Sequence, residues 1–511
     1  MENPHVQLLP IADDFGLHPD INQGILDCLA EGLLAGTSVA VCGDAAEDEA
    51  LAPLAARCRQ QPELDCGIHL MLCEGRALTG VSSLTDATGR FPEAYPAVVR
   101  GLLAGRLRLA DVEREWDAQI RRLQAAGISP RHLDGHQHVH LLPGLWPLAV
   151  RLARTHGIPR LRTSYQSLGG ALRRGAPALI AFQQLALVRY LQTGRRARTL
   201  GVLCSTDLTA AGVLDALVGE LRRGRPVELM SHPGRDSEAL RQRFPTWGAH
   251  WGQEVQELRR LQALVTAAAA DPARQAAVRQ RYADQPWVVR SFVETRLRLC
   301  PIWVVEALLP AQGRIVDLGC GHGHFSLYLA LAAAGREVLG ADDDPRKIAV
   351  AQAVSAEAAV TFVPKRGDEL LASSPGPFDA ALLLDVLYQL PPAAQERLLG
   401  QVHEQLVDGG VLVLKETDRH LGPRYGVAYL EECLVVSLLR RRPAFRYHYR
   451  SAADWTALLT RLGFTVDCCL PTPAERLNNR SVILRAVRTP RQVPTSALDP
   501  GLRPPGIESA P

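Results

Sequence analysis

The stretch "GRIVDLGCGHGHFSLYLALAAAGREVLGADDDP", residues 313–345, holds a complete strand–turn–helix–strand pattern. An apolar run ends at Asp317 and Leu318, and glycines follow at 319, 321 and 323. The apolar periodicity then changes from that of a strand to that of a helix, and a second apolar run stops at Asp342. Glycines at such a turn let backbone approach a nucleotide closely. The spacing is GxGxG, not the GxGxxG favoured by dinucleotides. Asp342, at the end of the second strand, suits the two ribose hydroxyls of an adenosine. Asp343 and Asp344 read as solvated or helix-capping. This pattern predicts a doubly wound parallel sheet.

Downstream, "RGDELL" supplies Asp368, and "FDAALLLDVLYQLP" reads as a buried strand ending at Asp385. "VDGGVLVLKETD" then reads as a turn into another strand. In this order the region 287–489 resembles a class I S-adenosylmethionine-dependent methyltransferase. The resemblance implies a seven-stranded Rossmann-like sheet with the cofactor on Gly319, Gly321 and Gly323. Asp317 and Asp385 would belong to the same cofactor site, with Asp342 on the ribose and Asp368 near the adenine. His420, Tyr425 and Tyr429 fall where the resemblance would place a methyl acceptor, but no catalytic role is assigned to them. The basic run "RRRPAFRYHYR" (440–450) reads as a solvated face.

Upstream, strand-like runs alternate with helical patterns from residue 6 to about 270. In "DVEREWDAQIRRLQAAG", Val112, Trp116, Ile120 and Leu123 share one helical face. Such alternation predicts a parallel sheet or a barrel of βα units. Four strand ends carry chemistry: "ADDFGL", "GIHLML", "HLDGHQHVH" and "ELMSHPG". Neighbouring strand side chains alternate, so Asp13 and Asp14 should point apart and can divide labour between a base and a cation ligand.

These motifs, together with "GIHLMLCEGRAL", resemble the YdjC-like carbohydrate deacetylases over residues 6–265. That family includes chitooligosaccharide deacetylases and hopanoid-biosynthesis-associated members. The resemblance implies an irregular (β/α) barrel that binds one divalent metal and hydrolyses an N-acetyl group from a sugar. It assigns Asp14, His69 and His136 as metal ligands. Cys73 stands where the family usually has threonine. Asp13 is expected to act as general base and His232 as general acid. If "HLDGHQHVH" were extended throughout, Asp134 to His140 would span about 20 Å, too far for one coordination sphere. Asp134, His138 and His140 are therefore expected in the pocket or behind the ligands. One aspartate and two histidines suit zinc, magnesium or manganese.

The expected organisation is a deacetylase barrel over 1–270, a linker over 271–286, the methyltransferase over 287–489 and a disordered tail over 490–511. The tail contains six prolines and no apolar periodicity. With 57 basic against 54 acidic residues, the net charge of +3 gives no reason to expect nucleic acid. Eleven cysteines without a CxxC pair read as reduced, cytoplasmic usage. No signal peptide or spanning helix is expected, and "VAYLEECLVVSLLRRRP" (427–443) reads as a buried amphipathic helix. The expected partners are an N-acetylated sugar, oligosaccharide or glycolipid, without stable membrane insertion, and a homodimer is left open. A bifunctional enzyme tailoring one pathway intermediate is the leading expectation. Two other readings stay open: a methyltransferase beside a barrel that merely binds glycan, and a barrel that hydrolyses another amide or ester.

Overall fold

The computed structural model describes residues 8–194, 198–202, 227–245, 250–356, 358–373, 377–418, 447–471 and 481–489. The proline-rich tail, the 427–443 stretch, His420, Tyr425, Tyr429 and residues 440–446 of the basic run lie outside the described residues. The chain divides into two compact units, 1–269 and 270–511.

The first unit is built on seven parallel strands. They are β1 (Leu8–Phe15), β2 (Gly36–Val39), β3 (Asp65–Leu70), β4 (His132–Gly135), β5 (Arg160–Leu161), β6 (Arg198–Leu200) and β7 (Val227–Ser231). Their order is β5-β4-β3-β2-β1-β7-β6. At one edge, Thr199 N donates to the carbonyl of Tyr165, just past the other edge strand, at 3.1 Å. That bond bridges the two edges of the half-barrel. Helices follow the strands, as parallel pairing requires. In the helix Leu109–Ala125 the predicted face, Val112, Trp116, Ile120 and Leu123, is buried. The C-terminal strand ends gather Asp13, Asp14, His69, Asp134, His136 and His232 on one side of the sheet.

The second unit carries β8 (Gln312–Leu318), β9 (Gly335–Ala341), β10 (Val360–Val363), β11 (Phe378–Leu384), β12 (Leu406–Thr417), β13 (Phe464–Pro471) and β14 (Ser481–Arg488). The order is β10-β9-β8-β11-β12-β14-β13, with β14 antiparallel to both of its neighbours. The core of this Rossmann-like sheet includes Val316, Leu318, Leu383, Leu412, Trp455 and Leu459. The order reverses between β8 and β11, and the glycine turn leaves β8 at that switch point, where open α/β sheets place ligands.

Residues 271–281, expected in a linker, continue the helix Trp251–Arg281. They pack within the second unit: Tyr328 Oη donates to Asp271 at 2.9 Å, and Arg274 pairs with Glu306 at 3.1 Å. Among the described residues no helix is long and apolar enough to cross a membrane.

Candidate functional site

The first site begins at the end of β1. Register with β2 shifts between Ala12 and Phe15, and Asp14 sits in the left-handed region at φ 72°. A non-glycine residue there costs about 1–2 kcal/mol, and a bulge is a common way to re-aim a side chain. The two carboxylates diverge as a result. Asp14 Oδ1 lies 3.0 Å from His136 Nδ1 and 3.3 Å from His69 Nε2. Asp13 instead places both oxygens on Arg162 Nη1, at 2.8 and 2.6 Å.

His136 Nδ1 and His69 Nε2 are themselves 3.3 Å apart, so three donor atoms form a nearly equilateral triangle. A cation about 2.1 Å from each donor, with angles near 90–105°, requires donor separations of about 3.0–3.3 Å. All three residues are buried. Burial opposes charge on His69, yet the Asp134 carboxylate, its hydrogen bond and Asp14 raise its pKa to about 10. Burial likewise opposes ionisation of Asp14, but His136 and His69 hold its carboxyl well below the usual range. The local field therefore favours a positive charge at this point, and the residues fit a divalent metal.

A layer of ion pairs fixes the donors. Asp134 Oδ1 meets His69 Nδ1 at 2.7 Å, which turns Nε2 toward the centre, where a bound cation would take the place of its proton. Asp134 Oδ2 accepts from Ser38 Oγ at 2.7 Å and faces Arg162 Nη1 at 2.5 Å. The fully buried Arg162 guanidinium thus holds Asp13, Asp134 and Glu228 together. Beneath it, Asp65 holds His132 Nδ1 at 2.8 Å and Arg160 at 2.5 Å. Arg162 and Glu228 were invisible as site residues in the sequence. "PRLRT" signals only a short strand, and a fully buried arginine is rare enough that composition argues against it.

His136 does not continue a strand. β4 stops at Gly135, and Gln137 and His138 adopt left-handed φ values of 50° and 57° inside a short turn. The extended geometry considered for the whole histidine run therefore ends after four residues. His138 Nδ1 lies 3.1 Å from Ser164 Oγ, and its ring stacks on Phe182. His140 Nε2 is 2.9 Å from the carbonyl oxygen of Arg162, in a buried position beside Trp146. Glu74 Oε2 comes within 3.6 Å of His136 Nε2 and is a further residue the sequence did not single out.

His232 follows β7. Its backbone N–H donates to Glu254 Oε2 at 2.5 Å, and its Nδ1 is 3.8 Å from Glu254 Oε1. Burial alone would lower its pKa, but the Glu254 carboxylate, helped by Asp14 and Asp13, raises it to about 9. At neutral pH the ring thus holds a proton. Glu254 lies 22 residues further on, in the first turn of a long helix, and carries no motif of its own.

In the second unit the turn Gly319–Gly323 takes left-handed φ values of 83°, 58° and 79° at its three glycines. A Cβ on Gly319 would strike Val386, and one on Gly323 would strike Phe362 and Ala351. At Gly321 a Cβ would meet nothing within 4 Å, so this glycine lies against the open side of the turn, where a cofactor has room. Gly321 N donates to Asp342 Oδ2 at 3.0 Å, which fixes that carboxylate beside the turn. Asp342 Oδ1 accepts from Asp344 N at 3.0 Å. Asp317 is buried beneath the turn on Ser326 Oγ at 2.5 Å, and burial with Asp342 nearby raises its pKa to about 6. Asp368 pairs with Arg366 at the surface, at 3.0 Å. Asp385, left-handed at φ 59°, is held by Lys415 at 2.8 Å and Arg296 at 2.7 Å. Its carboxylate serves that ion triad.

Residues 8–271 match the family described as YdjC-like protein, and residues 290–468 match a methyltransferase domain. A carbohydrate deacetylase of Geobacillus stearothermophilus is 37% identical over 148 residues, 29% of this chain and 56% of the relative. A chitooligosaccharide deacetylase of Yersinia pestis (strain Pestoides F) is 37% identical over 153 residues, 30% of this chain and 57% of the relative. The chain thus spans little more than half the length of these relatives. Among solved structures, magnesium protoporphyrin IX methyltransferase from Synechocystis PCC 6803 aligns with TM-score 0.31 and 23% identity, over 44% of this chain and 99% of that one.

Proposed function

Because the chain belongs to the YdjC-like protein family, we propose that its first unit removes an acetyl group from an N-acetylated sugar and that its methyltransferase domain transfers methyl from S-adenosylmethionine. The observation that carries the first half is the donor triangle of Asp14, His69 and His136, with edges of 3.0–3.3 Å. A divalent cation held there would supply Lewis acidity toward the acyl oxygen and toward water. Asp13, pinned on Arg162, takes the proton of the attacking water. The water oxygen bonds to the acyl carbon, and the C–N bond then breaks. His232 delivers its proton to the leaving nitrogen, giving acetate and a free amine. Asp134 fixes the His69 ring, and Glu254 keeps His232 protonated and oriented.

In the second unit Gly319, Gly321 and Gly323 would cradle the cofactor, with Asp342 on its ribose and Asp368 beside the adenine. Methyl transfer is an in-line displacement, so positioning carries most of it. Asp317 sits below the turn that shapes the site. The Lys415–Asp385–Arg296 triad supports the wall beside it. Two sites on one chain act at high effective concentration on a shared intermediate, so the amine freed by the first unit, or a neighbouring hydroxyl, is the proposed acceptor.

The test uses the full chain with N-acetylated chitooligosaccharides and methyl-labelled S-adenosylmethionine. Acetate release that stops on chelation and returns with zinc, manganese or magnesium is expected. No acetate from any N-acetylated sugar would remove the hydrolytic reading. Label that never appears on the deacetylated product would remove the sequential one.

A further inference from the structure

His69 and His136 face the centre of the donor triangle through different ring atoms. His69 turns Nε2 inward and meets Asp134 with Nδ1. His136 turns Nδ1 inward, 3.0 Å from Asp14 Oδ1 and 3.3 Å from His69 Nε2. Its Nε2 therefore lies on the other flank of the ring, away from the triangle. A neutral imidazole carries one N–H, so a cation on Nδ1 leaves the proton on Nε2. In a buried position that N–H needs an acceptor. Asp134 is the acceptor for His69, and His136 needs one of its own.

Glu74 stands where that acceptor belongs. Its Oε2 faces His136 Nε2 at 3.6 Å, and among the described residues this is the one ion pair Glu74 makes. The residue is 7% exposed, and Oε2 is buried with no hydrogen-bond partner. A buried carboxylate oxygen left without a donor calls for a functional explanation. The backbone points the same way. Glu74 adopts a left-handed φ of 58°, unfavourable for a residue with a Cβ, and such outliers cluster at functional sites. Neighbouring backbone holds it there: Glu74 N donates to the Pro92 carbonyl at 2.8 Å, and Arg76 N to the Cys42 carbonyl at 2.9 Å. A Cβ on the intervening Gly75 would come within 2.0 Å of that Cys42 oxygen. The loop that leaves β3, the strand of His69, is thus bent back and clamped with Glu74 behind His136.

We propose that Glu74 is the positioning residue of His136, accepting the Nε2 proton when a cation takes Nδ1. It would select in His136 the tautomer opposite to the one Asp134 selects in His69. A separation of 3.6 Å is wider than a hydrogen bond, so the contact should close on loading. The inference rests on the reading of Asp14, His69 and His136 as a cation site, and not on the identity of the acyl substrate.

The experiment is zinc titration by calorimetry on the full chain, stripped of cations and without substrate. Wild type should bind zinc at a site that D14A loses. E74A keeps the Cβ, and with it the backbone preference at position 74, and should bind zinc about 10–100-fold more weakly. E74Q, whose amide oxygen still accepts, should stay within about threefold of wild type. A residue that only held the fold would lower the melting temperature of the cation-free chain; in E74A that temperature should not fall. In zinc-loaded protein labelled with ¹⁵N-histidine, His136 should carry its proton on Nε2, slowly exchanging in wild type and E74Q and fast in E74A. Wild-type zinc affinity in E74A, equal losses in E74Q and E74A, or a zinc-loaded His136 protonated on Nδ1 overturns the inference. A wild-type chain that binds no zinc removes the cation reading and the role of Glu74 with it. If zinc binding follows the pattern while no acetate is released, the deacetylase reading falls and the role of Glu74 stands.

Discussion

The proposed cation site draws Asp14, His69 and His136 from three strand ends, the first and last 122 positions apart. The cofactor turn comes from one contiguous stretch, Asp317 to Asp342. The first is made of side chains whose positions depend on a buried ion layer, Asp13–Arg162–Asp134–His69. The second is made mostly of backbone, with φ values set by glycine and one carboxylate fixed by Gly321 N–H. A site of the first kind is brittle, because each charge is balanced by another and removing one strands its partner in a dry interior. A site of the second kind loses affinity by increments.

That contrast is broken most directly by Asp14→Ala. Loss of one of three donors should abolish metal retention in the purified chain and lower acetate release by about 10⁴-fold or more, while leaving S-adenosylmethionine binding intact. Metal analysis and calorimetry with the cofactor read the two halves separately. Full metal occupancy in the variant would show that the triangle is not the ligand set.

Asp13→Asn sharpens the same side. The amide keeps the shape and can still meet Arg162 through its oxygen, so metal content should stay near wild type. The rate should fall by about 10²–10⁴-fold, the usual contribution of a positioned base. A variant that binds metal and hydrolyses normally would move the base elsewhere in the cluster.

Asp342→Ala probes the other side. A carboxylate accepting ribose hydroxyls contributes about 1.5–3 kcal/mol, so affinity for S-adenosylmethionine should weaken roughly 10–100-fold. Acetate release should not move. An unchanged affinity would place the ribose away from Asp342.

The same difference explains what could be read without coordinates. The glycine turn and Asp342 were legible because local spacing encodes a backbone site. Asp14, His69 and His136 were nominated by their place at strand ends within a recurring motif order. The family resemblance named them as one ligand set, but the local path that delivers His136 was not legible, since β4 stops at Gly135 and the left-handed turn at Gln137 and His138 has no glycine to announce it. Arg162, Glu228, Glu254 and Glu74 were missed for a related reason. Each acts through a partner distant in sequence, and a single charged residue beside a strand is ordinarily a surface residue. Asp385 shows the converse: it stands at a strand end like Asp14, yet its oxygens are held by Lys415 and Arg296.

The smallest predicted effect lies under the second site and tests whether its floor is electrically quiet. Glu416 is buried, and its Oε1 accepts from Val386 N at 3.1 Å and Leu387 N at 2.7 Å. Burial, reinforced by the nearby Asp385 charge, raises its pKa to about 8. Between the ordinary glutamate pKa of about 4.3 and that value, the folded chain keeps a proton that the unfolded chain has released. Stability should therefore fall as pH rises through this window and level off above about pH 8. Glu416→Gln mimics the protonated form at every pH. The variant and wild type should melt closest together near pH 5, with the variant melting progressively higher than wild type as the pH approaches about 8. The transition to follow is the one that S-adenosylmethionine raises. A gap that stays constant across the window would mean that Glu416 is already ionised in the folded chain. In that case the floor of the cofactor site would carry a buried charge like the one beneath the metal site, and the contrast between the two would narrow.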